Sequence, residues 1–243
     1  MEKCDKCKGN RYFMAPDGKF SRARLCECVE ECRKCGGDGF TVERREGGYK
    51  YRFDCPECSG VRKGVSRYNG AKIPAVMANA ELATEGNNLT PGSLNSLNYI
   101  RSFVDLFPEK KGFVLSGSPG RGTTSIASWA IAELTLKNSV NCLFQDFGDL
   151  ILRVQSRENG VSEFEILKPL FDCRVLVMDG VGTGCRPTTD WEKTVFEKIV
   201  SSRYSTQSPT ILTTKHGSTD LQNEIGDHGF SRVSAMCAFL TLD

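Results

Sequence analysis

The 243-residue sequence has no apolar run approaching the roughly 18 residues that a membrane-crossing helix needs. Its first residues, Met1-Glu2-Lys3-Cys4-Asp5-Lys6-Cys7, contain no apolar segment of the kind a secretory signal carries. No membrane partner is therefore expected, and a cytoplasmic location is. A strong charge of one sign is lacking too: 32 Lys and Arg against 30 Asp and Glu leave a formal +2. That is too little to argue for nucleic-acid binding from charge alone. Cysteine, by contrast, is abundant, and eight of the twelve lie in the first 58 residues. Paired closely in a chain without a secretory signal, they point to zinc rather than to disulfides.

The eight stand as Cys4 and Cys7, Cys26 and Cys28, Cys32 and Cys35, Cys55 and Cys58. Three of the pairs read C-x-x-C-x-G, a knuckle that turns two thiolates toward one ion, with a glycine to relieve the crowded turn behind it. Two knuckles close one tetrahedral site, so two zinc ions are expected and no coordination position is left open for catalysis. Sequential pairing gives Cys4, Cys7, Cys26 and Cys28 as one site and Cys32, Cys35, Cys55 and Cys58 as the other. Interleaved pairing is the alternative. Residues 1–72 hold 17 Lys and Arg against 11 Asp and Glu. Two tetrathiolate sites of net charge about −2 each offset most of that excess. Between the knuckles, Tyr49-Lys50-Tyr51-Arg52-Phe53 alternates as a strand does, three rings on one face and two cations on the other. Such a strand can stack bases, but rings packed beneath a small zinc hairpin are the plainer expectation.

A short helical stretch, Ala75 to Ala83, and a polar break, Glu85-Gly86-Asn87-Asn88, lead to an amphipathic helix that begins near Pro91 and ends at Phe107-Pro108. Gly112 to Ser125 then reads as a buried strand, a glycine-rich turn and a helix start. Gly117, Ser118, Pro119, Gly120, Arg121, Gly122, Thr123, Thr124 and Ser125 follow the phosphate-binding loop pattern with Thr123 where the lysine belongs. Glycines in such a loop let backbone N–H groups converge on a phosphate at a helix N-terminus. Strands are expected at Val140–Phe144, Arg174–Asp179, Pro209–Thr214 and Ala238–Leu242. Helices are expected at Ser125–Leu136, Asp149–Arg157, Phe164–Phe171, after Thr189-Asp190, and as short pieces around Leu221 and Arg232. This alternation predicts an α/β fold with a parallel sheet, helices on both faces and the ligand at the strands' C-terminal ends. Three segments follow: a zinc-binding domain at 1–72, a linker with amphipathic helices at 73–111, and a P-loop domain at 112–243.

From Ile73 to Asp243 the sequence resembles the AAA+ ATPases of the bacterial replicative-helicase-loader group, DnaC and DnaI, and the transposase helper IstB. The likeness is carried by the loop Gly117–Thr124, the run ending at Asp179, Arg203-Tyr204, the strand Pro209–Thr214, and Ser231-Arg232-Val233. It implies a P-loop AAA+ domain that binds ATP or ADP with magnesium at Thr124 and Asp179. It also implies an Arg232 that acts on a neighbouring subunit's nucleotide. As partners it implies a replicative helicase, other AAA+ subunits including copies of the same chain, and single-stranded DNA. A zinc-binding head is also similar to the loader subgroup, where it contacts the helicase.

The departures from the family pattern fall on the chemistry. Thr123 replaces the loop lysine, Gly180 stands where an acidic residue follows the Walker B aspartate, and Lys215 occupies the polar sensor position. The sequence reaches Asp243 without the C-terminal sensor arginine. Phosphoryl transfer depends on positioning and charge stabilisation. The expectation is therefore a helicase-loader-like protein that binds nucleotide weakly and is impaired in hydrolysis. The alternatives are an active ATPase with compensating residues, and a non-hydrolysing inhibitor or capping partner of an active loader. In the family fold the strand Pro209–Thr214 adjoins the loop strand, so Lys215 has a position from which to stand in for the missing ammonium, a solvated surface charge being the plainer alternative.

Overall fold

A computed structural model describes residues 4–44, 47–82, 90–157 and 160–243. The chain divides into two compact units, one running to Asn79 and taking in Ala132–Val140, the other comprising Ala80–Ile131 and Asn141–Asp243. The polar break at 85–88 lies outside the described residues.

In the first unit, β1 (Tyr12–Asp17) and β2 (Phe20–Leu25) form an antiparallel hairpin. A single helical turn, α1 (Glu27–Glu30), leads to a second hairpin of β3 (Phe40–Arg44) and β4 (Lys50–Asp54), and then comes α2 (Ser59–Gly70). Helix α2 docks on β2 through its last turn. The buried Tyr68 hydroxyl bonds Ser21 at 2.7 Å, while the Asn69 amide both accepts from the Ala23 N–H, at 2.8 Å, and donates to its carbonyl. The stretch Ala75–Ala83 does not form the expected helix: only the 3₁₀ turn Ala75–Met77 is present, and Ala83 lies outside the described residues. Its backbone is committed elsewhere, because Ser21 donates to the Ile73 carbonyl and Ala75 to the Lys19 carbonyl, so the chain runs along the β2 edge. The rings of β4 do not form a core. Tyr49 is 69% exposed, Tyr51 and Phe53 are also exposed, and the Arg52 guanidinium lies 3.5 Å from the centre of the Phe40 ring on the other face. A two-stranded ribbon covers neither of its own faces.

The second unit holds α3 (Pro91–Asp105), β5 (Gly112–Gly117), the part of α4 (Thr123–Asn138) up to Ile131, β6 (Cys142–Asp146), α5 (Phe147–Ser156), α6 (Glu163–Asp172), β7 (Val175–Asp179), α7 (Asp190–Ser205), β8 (Thr210–Thr214), α8 (Ser218–Met236) and β9 (Cys237–Leu242). The strands form one parallel sheet in the order β6-β7-β8-β5-β9. The apolar runs of β5, β6, β7 and β8, such as Val175-Leu176-Val177-Met178, are buried, as expected where helices cover both faces, whereas Phe239 in the edge strand β9 is exposed. Gly112 is required at the base of β5, where a Cβ would fall 2.0 Å from the Thr210 carbonyl oxygen of β8.

Strand β6 begins two residues later than the apolar pattern suggests. Ser139 adopts a left-handed φ of 56°, and Val140 donates to the Leu134 carbonyl, so both residues belong to the closing turn of α4. The two short helices expected around Leu221 and Arg232 are the two halves of α8, which is broken between them at Gly226, where φ is 76° and ψ 160°. Arg203 is the largest fully buried side chain among the described residues. Its guanidinium reaches the Thr210 hydroxyl and the carbonyls of Leu170, Cys173, Arg174 and Pro209, at 2.7–3.3 Å. It thereby ties α6, α7, β7 and β8 together at the sheet's N-terminal edge.

Candidate nucleotide site and metal centres

The strand ends that carry the site are adjacent, because β5, β8 and β7 are neighbours in the sheet. Gly117 closes β5, Ser118–Gly122 form the loop, and Thr123, Thr124 and Ser125 open α4. Gly120 and Gly122 sit at φ 88° and 81°, conformations an L side chain rarely adopts. A Cβ on either would meet no atom within 4 Å, so both positions face open space beside the helix N-terminus. Thr123 turns inward instead: its methyl would lie 3.1 Å from a Cβ on Gly117, so it packs against the loop's own base. The residues present fit a phosphate group held by backbone N–H donors.

Asp179 ends β7 with its Oδ1 accepting from the hydroxyls of Thr124, at 2.9 Å, and Thr213, at 2.5 Å. Thr213 also accepts from the Gly180 N–H at 2.9 Å, which fixes the strand end. Burial pushes the Asp179 carboxyl up, the two hydroxyl bonds oppose that, and the nearby Asp146 adds to it. A carboxylate destabilised in this way gains from a divalent cation beside it, and Thr124 and Asp179 are the residues that would hold magnesium. Lys215 follows β8 directly. It is exposed, and its ammonium donates to the Thr183 carbonyl at 3.3 Å, within the loop that follows β7. Arg232, on α8, pairs instead with Glu197 of α7 at 3.1 Å and donates to the His228 carbonyl.

Three residues of the site escape the sequence reading. Thr213 was visible only as a strand residue. Asp146 sits opposite Asp179 in the pairing of β6 with β7, and the signal for it was present, since Cys142-Leu143-Phe144-Gln145-Asp146 is another apolar run closing on a carboxylate. Glu192 lines, with Asp146, Gly180 and Thr183, a cleft of about 750 Å³ beside the strand ends.

The cysteines form two separate groups, Cys4 with Cys7, Cys26 and Cys28, and Cys32 with Cys35, Cys55 and Cys58, each with all its sulfurs within 4.8 Å of one another. Pairing is thus sequential. Sulfur separations of 3.8 Å for Cys4–Cys26 and Cys7–Cys28, and of 3.9 and 3.5 Å for Cys32–Cys55 and Cys35–Cys58, match the edge of about 3.8 Å that a tetrahedron with zinc–sulfur bonds of about 2.3 Å requires. The donor set therefore fits zinc. Gly9 and Gly37 take φ of 92° and 95°, and a Cβ on Gly37 would lie 2.3 Å from the Glu30 carbonyl oxygen. Gly60 is different, since it begins α2 and needs no such turn. Desolvation raises the Cys7 and Cys35 thiols, but it is outweighed, for Cys7 by the backbone N–H groups of Arg11 and Gly9 with the Cys4 and Cys26 thiols, and for Cys35 by the Gly39 N–H, the Cys58 thiol, the Gly37 N–H and the Cys32 thiol, which bring both to about 7. Desolvation leaves Cys28 and Cys58 pushed up to about 12. Four thiols this close need a cation before all can ionise. The two centres are braced by Arg11, which donates to the Glu57 carbonyl, and by Arg62, which donates to those of Val29 and Gly37.

With this geometry in hand, comparison with known proteins is specific. Residues 61–237 match the family described as IstB-like ATP binding protein. The replicative helicase loader DnaC of Escherichia coli K12 is 27% identical over 145 residues, 58% of each chain. The aligned region therefore spans little more than half of that relative. A crystal structure of the DnaC helicase loader shares 28% identity with a TM-score of 0.58, covering 69% of this chain and 99% of that one. DnaI, at 20% identity and a TM-score of 0.61, covers 70% and 94%. DnaA from Aquifex aeolicus with bound AMPPCP, at 14% and 0.58, covers 68% and 50%. These last two are likenesses of fold alone. Among the described residues no helix is long and apolar enough to cross a membrane.

Proposed function

The chain belongs to the IstB-like ATP binding protein family, and on that premise we propose that it is a helicase-loader-like AAA+ protein of DNA replication whose work is done by nucleotide-dependent binding. It binds ATP or ADP with magnesium, more weakly than a loop bearing the lysine would, and it turns ATP over slowly. The observation that carries this reading is the glycine loop. Gly120 and Gly122 hold left-handed conformations facing open space beside the α4 N-terminus, with Thr124 and Asp179 bonded beside it.

The ammonium that the loop lacks is the reason for weak binding, since backbone N–H groups alone supply the phosphate contacts. Lys215, one residue beyond β8, is the cation we assign to the outer phosphate. To reach it, Lys215 gives up a single bond to the Thr183 carbonyl. The partners proposed are a replicative helicase, engaged through the zinc-bearing unit, other AAA+ subunits including copies of this chain that would meet Arg232, and single-stranded DNA. The setting is the cytoplasm.

Calorimetry of ATP and ADP with magnesium tests the core of the reading. Saturable binding is expected, weaker than for a Thr123→Lys variant. No heat of binding with either nucleotide, in wild type and in Thr123→Lys alike, would overturn it.

A further inference from the structure

We propose that Asp146 supplies the carboxylate that orients the attacking water and takes its proton, in place of the acidic residue that position 180 lacks. This deepens the nucleotide-site reading above and rests on it. Strands β6 and β7 pair in parallel, with Asp146 level with Asp179, so two carboxylates reach the same sheet edge from adjacent strands.

Gly180, the position where the missing carboxylate would be carried, holds φ 73°. A side chain built there would begin with a Cβ 3.9 Å from Asp146 Oδ2. An oxygen of Asp146 therefore already stands beside the point from which a residue at 180 would extend. Its orientation is set locally: Asp146 is the N-cap of α5, and its Oδ1 accepts the Asp149 N–H at 2.7 Å. One oxygen is engaged by the cap while the other lies on the Gly180 side, where both residues line the 750 Å³ cleft. Asp146 is exposed, so water reaches it.

The two carboxylates are held for different tasks. Asp179 is mostly buried, and its Oδ1 is taken by two threonine hydroxyls, which suits a cation ligand and not a base. Asp146 is exposed, and with its Oδ1 held by the α5 cap its Oδ2 is turned to the Gly180 side, where a water can meet it. In the step proposed, the water oxygen bonds to the γ-phosphorus of ATP. The bond from that phosphorus to the β,γ-bridging oxygen breaks, and its electron pair leaves with ADP. The water proton passes to Asp146 Oδ2 and from there to the released phosphate.

The experiment uses the full chain with zinc bound and compares wild type with Asp146→Asn and Asp146→Ser. Both replacements retain an N-cap for α5 and remove the carboxylate. Calorimetry gives the ATP affinity of each protein, and single-turnover phosphate release gives the rate. The expected result is slow but measurable release by wild type, at least tenfold slower release by both variants, and ATP affinities within threefold of one another. If wild type binds ATP and the variants release phosphate as fast as it does, the proposal is overturned. It is equally overturned if wild type binds ATP and releases no phosphate. Absence of ATP binding by wild type would overturn the underlying nucleotide-site reading as well, and so separates the two failures.

Discussion

Two adjacent residues at the end of β7 have opposite freedoms. Asp179 is fixed by hydroxyls from α4 and β8, whereas Gly180 is bound only through its backbone and sits at φ 73°, where an L side chain costs roughly 1–2 kcal/mol. From sequence alone, restoring Lys at 123 and Glu at 180 looks like a symmetric repair of one transition state. The backbone makes the repair asymmetric. Thr123→Lys, at the first residue of α4, should tighten ATP by about 1.5–3 kcal/mol, the size of a charge-assisted bond, as read by calorimetry. Gly180→Glu should lower unfolding stability by about 1–2 kcal/mol in urea titration while leaving ATP affinity within a factor of a few. A Gly180→Glu protein as stable as wild type would show that the left-handed conformation is not retained in solution. The loop glycines and Asp179 stand out in the sequence as candidates because their residue types are those that phosphate and cation chemistry calls for. Thr213 and Asp146 do not, because their roles depend on which strands become neighbours, and a strand order of β6-β7-β8-β5-β9 is not written in any local pattern.

Helices and strands were legible to the extent that local signals decide their ends. Thr189 and Glu192 form a capping box at the start of α7, each side chain bonding the other's backbone N–H. Arg186 closes on the same carboxylate with two bonds, of 2.7 and 2.9 Å. Those bonds to Arg186, helped by the Thr189 N–H and hydroxyl against partial desolvation, bring Glu192 down to about 2 from an ordinary 4.5. Because the folded-state value lies below the unfolded one, the pair stabilises the fold above about pH 4.5, and the contribution disappears as pH falls from there toward 2. Glu192→Gln retains the box, since glutamine serves at that position, but loses the charge. It should cost about 1–2 kcal/mol at pH 7, discounted because Arg186 is 58% exposed. The gap between wild type and variant should narrow at pH 3 and nearly close by pH 2, which urea midpoints at pH 7, 3 and 2 will show. A gap as large at pH 2 as at pH 7 would mean the carboxylate acts through shape rather than charge. Boundaries failed where turn geometry overrode apolarity. Val140 looks like a strand residue but closes α4 behind the left-handed Ser139, and the stretch from Ala75 looks helical but forms only the 3₁₀ turn Ala75–Met77, with the Ala75 N–H given to the Lys19 carbonyl.

For the molecule as a whole, the sequence separated a cysteine-rich head from an α/β body, because metal-ligand spacing and strand–helix alternation are independent signals. It left the cysteine pairing open, since spacers of similar length permit either arrangement. The folded chain gathers Cys4, Cys7, Cys26 and Cys28 apart from Cys32, Cys35, Cys55 and Cys58, and this grouping has a consequence for stability. The core cluster around the second centre holds little besides its own ligands: Val29 with Cys32, Cys55 and Cys58, flanked by Leu25, Cys35 and Val61. With so little apolar burial, metal binding has to supply much of the folding free energy there; structural zinc contributes on the order of 10–16 kcal/mol in small zinc domains. Two zinc ions per chain are therefore expected by elemental analysis, and a chelator should unfold the cysteine unit. Trp129 and Trp191 both belong to the other unit, so tryptophan emission should stay unchanged while far-UV circular dichroism loses the hairpin and α2 signal. Cys32→Ser should leave one zinc per chain, because the four sulfurs of the first group close a tetrahedron without it. Loss of both ions from that variant would show that Arg11 and Arg62 couple the two centres into one folding step, and well under one zinc in metal-replete wild type would end the assignment of either group as a zinc site.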